Sequence, residues 1–141
     1  MNQQPIQIFV TGGTFDKQYN ELTGELFFKQ THIADMLKLG RCRLDLAVET
    51  LMMIDSLQMT DAGRQLILER CESSPASRIV ITHGTDSMEH TAAVLGRGIR
   101  GKTIVLTGPW CPTSSAAPMA CSIWAPRWPS CRRLTRACTW L

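Results

Sequence analysis

The sequence predicts an α/β protein built on a doubly wound, mainly parallel sheet of Rossmann-like type. Three observations carry that reading. Three β-branched runs, in "IQIFVTGG", "SRIVITHGTD" and "KTIVLTG", each end on a glycine-containing turn. Helical spacing fills stretches between them. Strand and helix patterns therefore alternate, which is the signature of parallel βαβ units. A chain of 141 residues can bury a single core but hardly two, so one domain is expected.

Taken in order, "IQIFVTGG" is a buried strand, β-branched and aromatic, closed by glycines. Polar residues with Gly24 follow, and "ELFFKQ" reads as a short strand or hairpin arm. In "THIADMLKLG" Ile33, Met36 and Leu37 fall at helical spacing, with Thr31 as the cap and Gly40 as the stop. "LDLAVETLMMID" has strand character through Val48, Leu51 and Ile54. "SLQMTDAGRQLILERCESS" then starts a helix capped by Thr60 or Ser56. After the second clear strand, "SMEHTAAVLGRG" is helical up to Gly96, and "KTIVLTG" is a third short strand. In such sheets the binding crevice lies outside the carboxyl ends of the strands. The turns "TGGT", "THGTD" and "LTG" are thus expected to meet at one sheet edge.

Composition narrows the function classes. The net charge of +3 looks mildly basic, but residues 109–141 hold four arginines and no acid, leaving eleven basic against twelve acidic side chains in residues 1–108. A near-neutral body argues against a nucleic-acid partner. The start "MNQQPIQIFV" has no secretory pattern, and no run approaches the ~18 apolar residues that cross a bilayer. A soluble cytoplasmic protein without a membrane partner is expected. Only Cys42 and Cys71 lie in the body, and no cysteine spacing matches a metal site or a disulfide framework.

The stretch "VTGGTFDK" holds the first chemical question. A phosphate cradle needs G-x-G-x-x-G before a helix, or a Walker pattern ending in Gly-Lys-Ser/Thr, and neither is present. Two readings remain. Gly12 and Gly13 make a tight turn in which Thr14 bonds to local backbone, or Thr14 is held up as a reagent. The second strand end repeats the grammar with a carboxylate added, in Thr82, His83, Gly84, Thr85 and Asp86. His83 reads as a structural part of its turn, Asp86 can cap the helix that follows, and Asp16 and Lys17 read as a solvated loop pair. His32 and His90 carry no inference.

Together, "TGGTFDKQY" and "THGTDSMEHTA" at two strand ends resemble the L-asparaginase and glutaminase amidohydrolase family at its N-terminal catalytic domain. The resemblance covers residues 5–108, and "GGTFDKQYNELTG" looks most like short bacterial members made of this domain alone. It implies hydrolysis of a side-chain amide of L-asparagine or L-glutamine, with no metal or organic cofactor. Thr14 matches the nucleophile that forms an acyl-enzyme; a neutral hydroxyl there needs a neighbouring group to take its proton. Tyr19 matches the loop tyrosine beside it. Ser56, in "DSLQMTD", matches the serine that holds the substrate α-carboxylate. Thr85 matches the second threonine, which helps activate water or the nucleophile, and Asp86 the aspartate that binds the α-ammonium. Gly13 and Gly84 join the substrate-binding set, and amides of the glycine turn are suited to the developing oxyanion. Dimers or tetramers are implied by the resemblance as well.

The pattern breaks after "IVLTG". Residues 109–141 contain all four tryptophans, four of the six cysteines and five of the seven prolines, with neither helical nor strand period. A basic aromatic tail for single-stranded nucleic acid is one reading. A lost base near the codons of Gly108 and Pro109 explains more. Permitted codons read one base earlier turn Trp110 to Leu141 into a string containing the amphipathic "LFNLGTALAFVQTL" and the strand-like "GVYLA". The sequence is accordingly divided into an asparaginase-like catalytic domain at 1–108, truncated, and a non-native, frame-shifted or disordered tail at 109–141. The lysine that pairs with the second threonine and the aspartate in the family lies beyond the break and has no counterpart in the tail. Impaired activity is therefore expected. The rival from another class is a non-catalytic module that binds asparagine or aspartate through Asp86 and Ser56.

Overall fold

The computed structural model describes residues 5–108, the side chains of Phe15 and Tyr19 apart. Four runs rich in β-branched residues, β1 (Ile6–Gly12), β4 (Leu46–Ile54), β5 (Arg78–Thr82) and β6 (Thr103–Thr107), form one all-parallel sheet in the order β4-β1-β5-β6. From β1 the chain winds outward to β4, then returns across to β5 and β6, so the winding direction reverses beside β1. That reversal leaves a crevice at the carboxyl ends of β1 and β5. A separate antiparallel pair, β2 (Lys17–Tyr19) with β3 (Leu26–Phe28), stands just after the first turn, with Tyr19 opposite Leu26. The fold class agrees with the sequence reading.

Three α-helices, α1 (Ile33–Leu39), α2 (Asp61–Ser73) and α3 (Met88–Gly98), and three short 3-10 segments are the other described elements. Strand side chains alternate between the two sheet faces, and the core sits on one of them. Phe9, Ile79, Ile81, Ile104 and Leu106 meet Ile67 and Cys71 of α2 and Met88, Ala92 and Leu95 of α3 there. On the opposite face Ile8 and Val10 are buried, Val80 and Val105 are half-buried, and Val48 is 44% exposed. Helix α1 contributes no buried residue.

The helix ends show which polar residues set the boundaries. Thr60, and not Ser56, caps α2: its hydroxyl accepts from the Gly63 amide at 3.2 Å. At the other end of α2, the Lys102 ammonium donates to the carbonyls of Cys71 at 2.6 Å and Glu72 at 3.0 Å, and also to that of Ser74. A cation on the last carbonyls suits the negative end of the helix dipole. The cap of α1 is His32 in place of the expected Thr31, whose hydroxyl instead accepts from Ile33 N at 3.3 Å in a short local turn. Helix α3 runs past Gly96 to Gly98, where the backbone lies so close to Leu68 that a Cβ would sit 2.6 Å from its Cδ1. Cys42 is exposed and Cys71 is buried. The tail at 109–141, with its proposed frame shift, lies outside the described residues.

Candidate functional site

Strand β1 ends in two glycines that both lie in the left-handed region, Gly12 at φ 97° and Gly13 at φ 85°. Close approach adds a second reason for glycine at each. A Cβ on Gly12 would stand 2.5 Å from the Ile54 carbonyl oxygen, and one on Gly13 would stand 2.5 Å from the Gly84 amide nitrogen. The first turn is thus pressed between the ends of β4 and β5. Gly13 N–H donates to Ile54 O at 3.1 Å. That amide is therefore engaged, and the turn's remaining oxyanion candidates are the amides that follow it.

A one-turn 3-10 segment, Thr14–Asp16, comes next, and half-buried Thr14 opens it. Among the described residues no side-chain hydrogen bond engages the Thr14 hydroxyl, so it is not consumed by local backbone. Asp16 and Lys17 do not form a solvated loop pair. Asp16 is 1% exposed, and its Oδ1 accepts from His32 N at 2.9 Å. The Lys17 ammonium pairs with Asp55 and lies 5.8 Å from the centroid of the Phe28 ring. Burial and the strand geometry around the turn leave these two residues facing separate partners. Tyr19 closes β2 as a strand residue.

After β4 a second 3-10 segment, Ser56–Gln58, is capped by Asp55, whose Oδ1 accepts from Leu57 N at 3.0 Å. Ser56 is buried and donates its hydroxyl to Asp86 Oδ2 at 3.1 Å. Its carbonyl accepts from the Ser87 hydroxyl at 2.6 Å. Gly84 has no room for a side chain, because a Cβ there would lie 2.4 Å from Ser56 Oγ. Thr85, half-buried, opens a third 3-10 segment, Thr85–Ser87. The N-cap of α3 is Ser87, without a side-chain cap bond, and the exposed Asp86 carboxylate is not used as a cap. Its bond partner is Ser56 on another strand end.

His83 is fully buried, with Nδ1 2.7 Å from the Gly84 carbonyl and Nε2 2.8 Å from the Thr91 hydroxyl. A carbonyl can only accept, so Nδ1 carries the proton and Nε2 receives one from Thr91. Burial pushes the His83 pKa below its ordinary 6.5, the Gly84 bond opposes that fall, and the Arg64 charge adds to it. His83 is a neutral brace of its turn, as the sequence indicated. The Asp55 carboxyl is held below its ordinary value first by the Lys17 hydrogen bond and then by the Leu57 amide. Elsewhere, Thr11 Oγ1 donates to Thr82 O at 2.7 Å, and His83 N to Thr107 O at 2.9 Å, which stitches the strand ends together.

The fold therefore brings Gly13 against Gly84, and Ser56 against Gly84 and Asp86, with Thr14 and Thr85 opening the adjoining turns. Sequence reasoning missed Asp55, Lys17 and Ser87. The signal for Asp55 was available, since an aspartate just before a short turn is a capping pattern. Nothing local in the sequence pairs Lys17 with a residue 38 positions away. The described residues hold no group of three or more His, Cys, Asp or Glu placed to bind a metal ion. No helix among them is long and apolar enough to cross a membrane.

Comparison with known proteins agrees with this geometry. Residues 5–120 match the family model described as asparaginase, N-terminal. No curated protein matches the chain. Among solved structures, a probable cytoplasmic L-asparaginase from Campylobacter jejuni is similar at 29% identity and a TM-score of 0.66, covering 80% of this chain and 37% of that one. L-asparaginase I from Vibrio cholerae O1 biovar eltor is similar at 26% identity and a TM-score of 0.66, covering 82% of this chain and 36% of that one. The thermostable L-asparaginase from Thermococcus kodakarensis is similar at 26% identity and a TM-score of 0.60, covering 77% and 35%. The chain thus spans little more than a third of the length of these relatives. With a family match over most of its length and glycine turns meeting at the sheet edge as that fold requires, the chain belongs to the asparaginase family, at its N-terminal domain.

Proposed function

We propose that the site is that of an L-asparaginase-type amidohydrolase, which converts L-asparagine to L-aspartate and ammonia with Thr14 as nucleophile. The observation that carries the reading is the Ser56–Asp86 pair at 3.1 Å beside the Gly13–Gly84 contact. It supports the reading because a carboxylate and a hydroxyl share a strand-end cluster with Gly13, the residue before Thr14. A zwitterionic substrate needs an anion for its ammonium, which Asp86 supplies, and donors for its carboxylate, which nearby amides supply together with the Ser56 hydroxyl once it turns from Asp86. Thr14 Oγ1 then attacks the amide carbon and gives up its proton. The C–N bond breaks as ammonia leaves with a proton, and water hydrolyses the resulting ester to L-aspartate and free Thr14. Thr85 and Tyr19 are the residues we assign to proton handling. No organic or metal cofactor enters the scheme, and we place the protein in the cytoplasm as an oligomer.

The chain as written is proposed to be impaired. Among the described lysines, Lys17 is tied to Asp55 and Lys102 to the end of α2, while Lys29 and Lys38 are exposed. None stands at Thr85 and Asp86 to serve as their proton partner. Ammonia release from L-asparagine, measured for the chain as written, for a version with the reading frame restored after Gly108, and for Thr14→Ala in each, tests both parts. The restored chain is expected to turn over and to lose about 10⁴-fold or more of its rate in Thr14→Ala. Undiminished turnover in Thr14→Ala excludes Thr14 as nucleophile. Binding of L-asparagine without turnover in the restored chain favours the non-catalytic module.

A further inference from the structure

The ion pair between Lys17 and Asp55 joins two turns that the backbone already brings close. Gly13 N–H meets Ile54 O at 3.1 Å, and one residue beyond Ile54 the Asp55 carboxylate receives the Lys17 ammonium. On one side of the pair lies the Thr14–Asp16 segment, which runs straight into Lys17. On the other side Asp55 caps the segment opened by Ser56. The two side chains are 21% and 24% exposed, so the pair is partly withdrawn from water and from salt screening. The Lys17 ammonium also lies 5.8 Å from the centroid of the Phe28 ring, opposite Lys17 in the β2–β3 hairpin. Asp16, buried and bonded to His32 N, holds the same segment from its far side.

We propose that Lys17 and Asp55 are positioning residues that fasten the Thr14 turn and its hairpin to the Ser56 turn, and so fix the spacing between the proposed nucleophile and the groups that hold the amino-acid backbone. This inference rests on the reading of the site as an α-amino-acid site. Neither residue touches substrate in this role. The pair acts through Thr14 on one side and Ser56 on the other, and breaking it lets the hairpin swing without disturbing the sheet.

Three single variants separate the pair from its surroundings. Asp55→Asn keeps an acceptor for Leu57 N and removes the charge; Lys17→Met keeps an unbranched apolar side chain and removes the ammonium; Lys17→Arg keeps the charge. On the full chain, L-aspartate affinity is measured by titration calorimetry and backbone exchange by deuterium uptake. Asp55→Asn and Lys17→Met are expected to weaken L-aspartate about five-fold each, with the double variant no weaker than either single one. Lys17→Arg is expected to stay near wild type. Exchange is expected to quicken across residues 17–28 and 56–58 and to stay unchanged in α2 and β5. Unchanged exchange in both charge-removing variants overturns the proposal, and so does a double variant in which the two losses multiply. Failure of the wild-type chain to bind L-aspartate instead counts against the amino-acid site, and the exchange pattern then decides the fastening role by itself.

Discussion

Glycine at position 84 is required by a neighbour rather than by its own backbone. Its φ is −68°, which any residue adopts, yet a Cβ would meet Ser56 Oγ at 2.4 Å. Gly84→Ala is therefore expected to push Ser56 away from Asp86 and to cost about 1–3 kcal/mol, read by denaturant unfolding. Gly13→Ala adds a positive φ to a clash with backbone at 2.5 Å, and its loss is expected to exceed that of Gly84→Ala in the same experiment. Ser56 is the residue on which these constraints converge, since it bonds Asp86, receives Ser87 and abuts Gly84. It is buried at 3% exposure. Asp86, by contrast, is exposed and free of a capping duty, which leaves its charge available to a ligand.

Among the elements, α2 depends on a residue outside itself. Lys102 donates to two of its last carbonyls and to that of the following Ser74, so Lys102→Met is expected to lower stability by about 1–2 kcal/mol and to speed exchange at the end of α2. An unchanged unfolding midpoint in that variant contradicts the capping role. Strands β1, β5 and β6 were legible from their β-branched runs, because strands of a parallel sheet read as near-continuous apolar stretches rather than as alternating ones. Helix α2 was legible from its Thr60 cap. The boundary of α3 was not, since Gly96 resembles a stop, yet the helix continues to Gly98, where the backbone packs close against Leu68. The meeting of the Thr14 and Asp86 turns at one edge followed from strand polarity, whereas Ser56 entered through the family resemblance. Asp16 and Lys17 escaped because their partners, His32 and Asp55, are set by the tertiary path of the hairpin and not by spacing.

At the scale of the whole molecule, buried His83 makes stability depend on pH. Its folded pKa is depressed, so between that value and about 6.5 the unfolded chain binds more protons, and stability falls as pH drops through that window. The slope is at most roughly 1.4 kcal/mol per pH unit. Thermal unfolding is expected to be flat above about pH 7 and to weaken below it, with His83→Asn removing the slope even though it lowers the baseline. A slope that persists in His83→Asn assigns it to another group. The covered sheet face carries the core, and the opposite face, with Val48 exposed, lies partly open among the described residues. The turns after β1, β4 and β5 meet at one edge of the sheet, and the proposal that they form an amino-acid site is open to direct test. The measurement is a calorimetric titration of L-aspartate into the chain as written and into its Asp86→Asn variant. Binding by the chain that is abolished or weakened at least about ten-fold in Asp86→Asn is the expected result; absence of binding, or equal binding by both, contradicts the site.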